Sequence, residues 1–319
     1  MKKNLYIMAA AMIAALALGA CSNDDENIVN GVDLSKPISL SFSPAQIDVQ
    51  TRSTIGVTEA FENGDRVGVY VSSSTLANAE YRNIRFTAGA NNTWTSSDMY
   101  WQSGTDTYTL TAYYPFAGEE GTAAASLVIS LPADQSNSDT YSAADYLWAQ
   151  IPAQAPTNGA ISMTLNHQMS LLKLDMTAGD DMTLAEIATM TPAILGSIPA
   201  AGTWDLTSGN ITAATDEGAT PHTSIRPYMV YDASANTLTY YALVMPATSF
   251  EQGSKFLTLT ATDGTEFSYD LNVTGGIEAG ANTYCDLDLT VNRTGITISS
   301  FSIGDWQQGK GGSGIVTMV

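Results

Sequence analysis

Cysteine and histidine are almost absent from this 319-residue chain. Two cysteines, Cys21 and Cys285, exclude a disulfide-rich framework, and two histidines, His167 and His222, exclude most multi-histidine metal sites. Positive charge is also scarce: 12 Lys and Arg against 32 Asp and Glu leave a net charge of −20. A polyanion of this kind is repelled by phosphate backbones, which argues against nucleic acid as a partner. Charge of either sign covers only 14% of residues, while 44% are hydrophobic, so there is enough apolar material for packed cores. The length corresponds to about two domains. The H-E-x-x-H, G-x-S-x-G and P-loop signatures are missing.

The N-terminus reads as an address. Met1-Lys2-Lys3 is a positive start, and Leu5 to Ala20 is an uncharged apolar run shorter than the roughly 20 residues of a spanning helix, as in a signal peptide. It ends in Leu18-Gly19-Ala20-Cys21, which resembles the bacterial lipobox, in which the chain is cut before a cysteine that receives a lipid. Residues 1–20 are therefore expected to be a lipoprotein signal and Cys21 the lipidated residue. Lipidation of Cys21 would leave Cys285 without an intrachain partner, as a buried inert thiol. The acidic Ser22-Asn23-Asp24-Asp25-Glu26 that follows resembles the surface-export signal of lipoproteins in anaerobic Gram-negative bacteria. Residues 21–37 are polar and read as a flexible tether.

From residue 38 the hydrophobic period is two. Ile38, Leu40 and Phe42 alternate with serines, and Ile47 and Val49 with polar residues. Further alternating runs occupy 67–72, 108–113, 161–166, 172–175, 238–244 and 256–260. Turn signals such as Asn63-Gly64, Asn158-Gly159 and Asp263-Gly264 lie between them. Many short strands at this spacing predict an all-β protein of packed β-sandwiches. Met182 to Thr189 is the best helical candidate. Gly179-Asp180-Asp181 marks the expected seam, giving domains 38–178 and 179–319.

No catalytic residue, metal site or cofactor is expected. His167 beside an apolar strand reads as structural, and His222 as exposed in a loop. Asp286 and Asp288 share a strand face, which usually means solvation. Gly309 to Gly314 satisfies G-x-G-x-x-G, but only Ile315 to Val319 follow, too few for the helix that would hold a dinucleotide.

Several motifs taken together are more specific. They are Thr51-Arg52-Ser53-Thr54, Phe61-Glu62-Asn63-Gly64-Asp65-Arg66-Val67, Tyr100-Trp101-Gln102, Ala112-Tyr113-Tyr114-Pro115-Phe116, Asp145-Tyr146-Leu147-Trp148, the run Leu165 to Leu174, Ile277 to Tyr284, and Ile303-Gly304-Asp305-Trp306. In this order and spacing the chain resembles the fimbrillins, the two-domain type V pilins and their relatives. The resemblance implies two transthyretin-like β-sandwich domains in tandem and export as an outer-membrane, surface-exposed lipoprotein. It also implies cleavage by an Arg-specific protease, here between Arg52 and Ser53. Loss of the first strand would open a groove, and the tail of the next subunit would fill it. The donor candidates are Ile296, Ile298, Phe301, Ile303, Ile315 and Val316. A register shift between Ile298 and Phe301 implies a bulge or two separate strands.

The expected function is that of a non-enzymatic fimbrial subunit in adhesion or biofilm formation, partnered by other fimbrial subunits and anchored to the outer membrane through its lipid. The alternative is a surface lipoprotein that binds glycan or host protein without polymerising, including a tip or anchor role. Tyr100, Trp101, Tyr113, Tyr114, Trp148, Tyr240 and Tyr241 would supply its aromatic platform, although aromatics in strands are more often core.

Overall fold

Alternate side chains leave opposite faces of an extended backbone, so a period-two run becomes a strand when one face finds a core. The computed structural model describes residues 27–45, 60–76, 80–122, 125–214, 220–306 and, for the backbone alone, 314–315. All the described alternating runs form strands, and the chain is all-β; the run at 47–49 lies outside the described residues.

The first large sheet contains β1 (Leu40–Pro44), β2 (Arg66–Ser72), β3 (Tyr81–Ala88), β4 (Trp94–Thr95), β5 (Tyr108–Tyr114), β6 (Leu147–Gln154) and β7 (Ile161–His167). Their order across the sheet is β1-β7-β6-β5-β2-β3-β4. Val67, Val69 and Val71, Leu110 and Ala112, and Ile161, Met163 and Leu165 gather with Leu40, Phe42 and Phe86 into one core. The second large sheet contains β8 (Ser170–Ala178), β9 (Tyr228–Asp232), β10 (Thr237–Val244), β11 (Thr283–Asn292), β12 (Gly295–Asp305) and β13 (Gly314–Ile315), in the order β9-β10-β8-β11-β12-β13. A four-stranded sheet (Thr191–Ile198, His222–Ile225, Lys255–Thr260 and Glu266–Asp270) adds Ile194, Ile225, Leu257 and Phe267 to the core of this second sheet.

The structure departs from the sequence reading in four places. First, the expected tether is partly folded. Ile28–Val29 and Val32–Asp33 form a hairpin whose Asn30 and Gly31 have φ of 53° and 78°. Asn-Gly tolerates these angles and is the strongest short hairpin signal, so the motif was legible. Second, strand pairing changes sheets between His167 and Ser170, so β8 lies in the second sheet, not before a seam at Gly179. No turn residue breaks the run at this crossing. Gly179-Asp180-Asp181 instead forms the turn after β8, where Gly179 packs so tightly on Asn292 that a Cβ would overlap it. Third, the helix is shorter than expected, Leu184–Ile187, capped by a reciprocal Thr183–Glu186 box. A second helix, Ser138–Ser142, gave no apolar periodicity to find. Fourth, His222 is in a strand, and its Nε2 lies 2.7 Å from the carbonyl oxygen of Leu131.

The two halves interlock through aromatic side chains. Trp204 is fully buried and meets Tyr113 and Tyr146 edge-on, at centroid distances of 5.6 and 5.3 Å. This explains why β5 is buried on both faces: one packs on the first core and the other meets the second half of the chain. Trp204→Ala removes the largest side chain of the contact. It is expected to cost about 3–5 kcal/mol, read as a lower urea midpoint.

Burial also pushes the Tyr113 phenol up to about 12 and raises Tyr114 and Tyr240 still further. The neutral phenols are favoured in the folded state, so their contribution is complete below the ordinary value of 10.0 and is lost as the pH rises above it, because the unfolded chain ionises first. The urea midpoint should fall between pH 10 and 12, less steeply in Tyr113→Phe.

Candidate assembly site

The feature with the clearest functional geometry is the edge of the first sheet. β1 pairs in parallel with β7, Leu40 opposite Ile161, Phe42 opposite Met163 and Pro44 opposite Leu165. Among the described residues it is the outermost strand, with β7 as its one neighbour. Its side chains are nonetheless core. Leu40 and Phe42 are buried, and Phe42 meets Phe86 at 5.2 Å and Trp94 at 4.8 Å, both edge-on. Each such burial is worth roughly 1.5–3 kcal/mol. On the other face Ser41 and Ser43 sit against Ser162 and Thr164, hydroxyl to hydroxyl. β1 is therefore a plug, with an apolar face inward and a polar face outward.

The segment that carries β1 is pinned along its length. The backbone N–H of Asp33 donates to Asn158 Oδ1 (2.8 Å), and Asn158 Nδ2 donates to the Gly31 carbonyl (2.9 Å). A Cβ at Gly104 would come within 2.6 Å of the Val29 carbonyl oxygen, so glycine there lets the hairpin approach. Ile38 N–H donates to the Met99 carbonyl and Ala45 N–H to that of Leu165, both at 2.7 Å. Beyond Ala45 the expected cleavage site, Arg52 and Ser53, lies outside the described residues, as does Cys21.

The tail is the other half of the candidate site. β12 runs antiparallel to β11, with Ile296 opposite Val291, Ile298 opposite Leu289, Phe301 opposite Leu287 and Ile303 opposite Cys285. The register slips between Ile298 and Ser300, leaving Ser299 as an extra residue. This bulge is what the change of parity at Phe301 requires. Ile296 and Phe301 are buried in the chain's own second core, and Ile298 and Ile303 pack against it half-buried. The backbone of Gly314–Ile315 pairs with Ser302 and Ile303, while Val316 lies outside the described residues.

Other candidates have structural explanations. Asp175, Asp286 and Asp288 cluster closely enough to suggest a cation site. Lys173 already stands among them, its Nζ 2.5 Å from Asp175 and 3.1 Å from Asp286. Burial acts against the Lys173 charge, but the Asp286 and Asp175 carboxylates outweigh it and hold the ammonium above the ordinary lysine value. The cluster is an internal ion-pair network. Lys173 alternates with Leu172 and Leu174, but β8 is flanked by β10 and β11 and covered on both faces, which buries it. Cys285 is buried, and its thiol is pushed up to about 12 by burial, as suits an inert residue. Of the aromatic residues considered for an open platform, Trp101, Tyr113, Tyr114, Tyr240 and Tyr241 are buried, and Tyr100 and Trp148 are half-buried.

No curated protein matches the chain. Among solved structures, a candidate cell adhesion protein from Bacteroides ovatus superposes with a TM-score of 0.68 at 20% identity, covering 85% of this chain and 98% of that one. A candidate cell adhesion protein from Bacteroides uniformis gives 0.61 at 19%, covering 85% and 99%. A fimbrial protein from Bacteroides vulgatus gives 0.52 at 12%, covering 85% and 99%. At these identities the likeness is one of fold. A family model carries it further: the fimbrillin-like model matches residues 51–306, most of the chain, and the protein belongs to the fimbrillin-like family.

Proposed function

We propose that this protein is a fimbrial subunit that is exported as a lipoprotein on Cys21, is activated by cleavage between Arg52 and Ser53, and assembles by strand exchange. Family membership supports a fimbrial or adhesive role at the cell surface, association with other fimbrial subunits, and a structural rather than enzymatic protein.

The observation that carries the finer reading is the character of β1. Among the described residues it is an edge strand with one neighbour, yet it fills the core with Leu40 and Phe42. A central strand could not leave without dividing its sheet. An edge strand can, and its departure would bare Ile161, Met163, Leu165, Phe86 and Trp94 together with one side of the β7 backbone. Unpaired strand edges and exposed apolar faces are costly until refilled, which supplies a driving force for an incoming strand. Main-chain pairing gives such a strand affinity, and its alternate side chains give it specificity. The matched family region runs from 51 to 306, so the segment that would leave, and the tail beyond Trp306, lie on either side of it. On this reading the donor is drawn from Ile296, Ile298, Phe301, Ile303, Ile315 and Val316 of a neighbouring subunit. The maturation partner is an Arg-specific protease.

The alternative, an outer-membrane lipoprotein that binds glycan or host protein without polymerising, has five of its seven platform aromatics in the core, Trp101, Tyr113, Tyr114, Tyr240 and Tyr241.

Mass spectrometry of material sheared from intact cells should find an N-terminus at Ser53. A start only at acylated Cys21 would overturn strand exchange and favour a surface, tip or anchor lipoprotein. Truncation after Trp306 spares the buried Ile296 and Phe301. The trimmed subunit so shortened should keep the circular dichroism of the full chain and lose polymerisation; undiminished polymer would remove Ile315 and Val316 from the donor.

A further inference from the structure

The residues that follow β1 and β12 meet at one buried imidazole. His167 has no exposed surface. Its Nδ1 lies 2.7 Å from Asp145 Oδ1, and its Nε2 lies 3.1 Å from the carbonyl oxygen of Ala45. Trp306 lies flat on the ring, with centroids 3.9 Å apart and planes within 4°. Ala45 directly follows β1, the strand that would leave. Trp306 directly follows β12, the strand that carries four of the donor candidates.

The two contacts use different parts of the imidazole. The bonds to Asp145 and Ala45 lie at the ring edge and together fix its plane. The stack on Trp306 uses the ring face and needs that plane. Rotation about the bond joining a histidine ring to its side chain is soft, so the plane depends on such outside restraints. The indole is fully buried in the second core, but its Nε1 has no hydrogen-bond partner among the described residues, and the polar anchor of Trp306 is its backbone N–H, which donates to the Asn282 carbonyl at 2.8 Å.

We propose that His167 couples β1 to β12. With Ala45 in place the ring is held edge-on and serves as the platform for Trp306. With β1 withdrawn, one of the two in-plane restraints is lost, Asp145 alone opposes rotation of the ring about its bond to the side chain, and Trp306 and the end of β12 loosen. Departure of the plug then also frees the tail. His167 is a positioning residue in this scheme. The inference rests on the reading that β1 leaves during assembly, but the coupling is a property of the single chain.

Coupling between two sites is reciprocal, so it can be tested from the other end. In the full chain, Trp306→Ala should speed hydrogen exchange of the β1 and Ala45 amides about tenfold, with β2 amides as an unchanged internal reference. In a His167→Phe background, which keeps an aromatic face but lacks the bond to Ala45, Trp306→Ala should have no further effect on β1. Unchanged exchange in β1 after Trp306→Ala would overturn the coupling, and so would an equal rise in both backgrounds. As the converse, deleting residues 22–45 should speed exchange across Gly295–Asp305 about tenfold; if that chain does not fold, the single replacement still decides. Polymer formation is not part of this readout. A chain that never assembles can show the coupling, and one that assembles can lack it.

Discussion

A strand at the edge of a sheet must satisfy its backbone on one side only, and most of what this protein offers for function depends on that. β7 has β6 on one side and β1 on the other. If β1 were absent, β7 would hold a row of unmet donors and acceptors above an apolar wall. The parallel pairing of β1 with β7 closes the row, and Leu40 and Phe42 close the wall. Parallel pairing is slightly weaker per residue than antiparallel. The first core is thus completed by a piece of chain that is covalently remote from its neighbours and held by one ladder. The hairpin at Ile28–Asp33 and the Asn158 bridge add restraint at its upstream end.

The second half of the molecule is built differently. β8 sits in the middle of its sheet, between β10 and β11, with apolar neighbours on both faces. Its one basic residue, Lys173, is tolerated there because Asp175 and Asp286 meet it directly. Such a network demands that β8, β10 and β11 stay in register, since Thr239 of β10 also donates to Asp175. Removing one charge from a buried pair costs far more than the pair itself contributes. This sheet has the features of a permanent frame, in contrast to the edge of the first.

Much of the architecture was legible as period two, because β1 and β7 have one buried and one more open face and their sequences alternate accordingly. The reading failed where that condition failed. β5 and β8 are covered on both faces, so polar letters in their sequences, such as Thr111 and Lys173, do not mark solvent. The sheet change after His167 left no trace, because Gln168 and Met169 suffice to cross and neither is a turn residue. The Asn30-Gly31 hairpin left a clear one, masked by the polar composition around it. Of the candidate site, the alternation of 38–42 and the parity break in the tail were both visible in the sequence, and the break is the bulge at Ser299. His167 was read as structural from its apolar surroundings. Its partners, Ala45 and Trp306, are 122 and 139 positions away in the sequence, and no local pattern links them.

The bulge limits what the tail can do elsewhere. In its own sheet, Ser299 absorbs one residue and lets Ile296, Ile298, Phe301 and Ile303 all face the core despite their mixed parity. β1 presents a straight five-residue ladder to β7 with no such irregularity. A strand laid into that space without a bulge could turn only one parity inward, either Ile296 with Ile298 or Phe301 with Ile303. The tail therefore carries two alternative keys, and a straight groove could take one of them at a time.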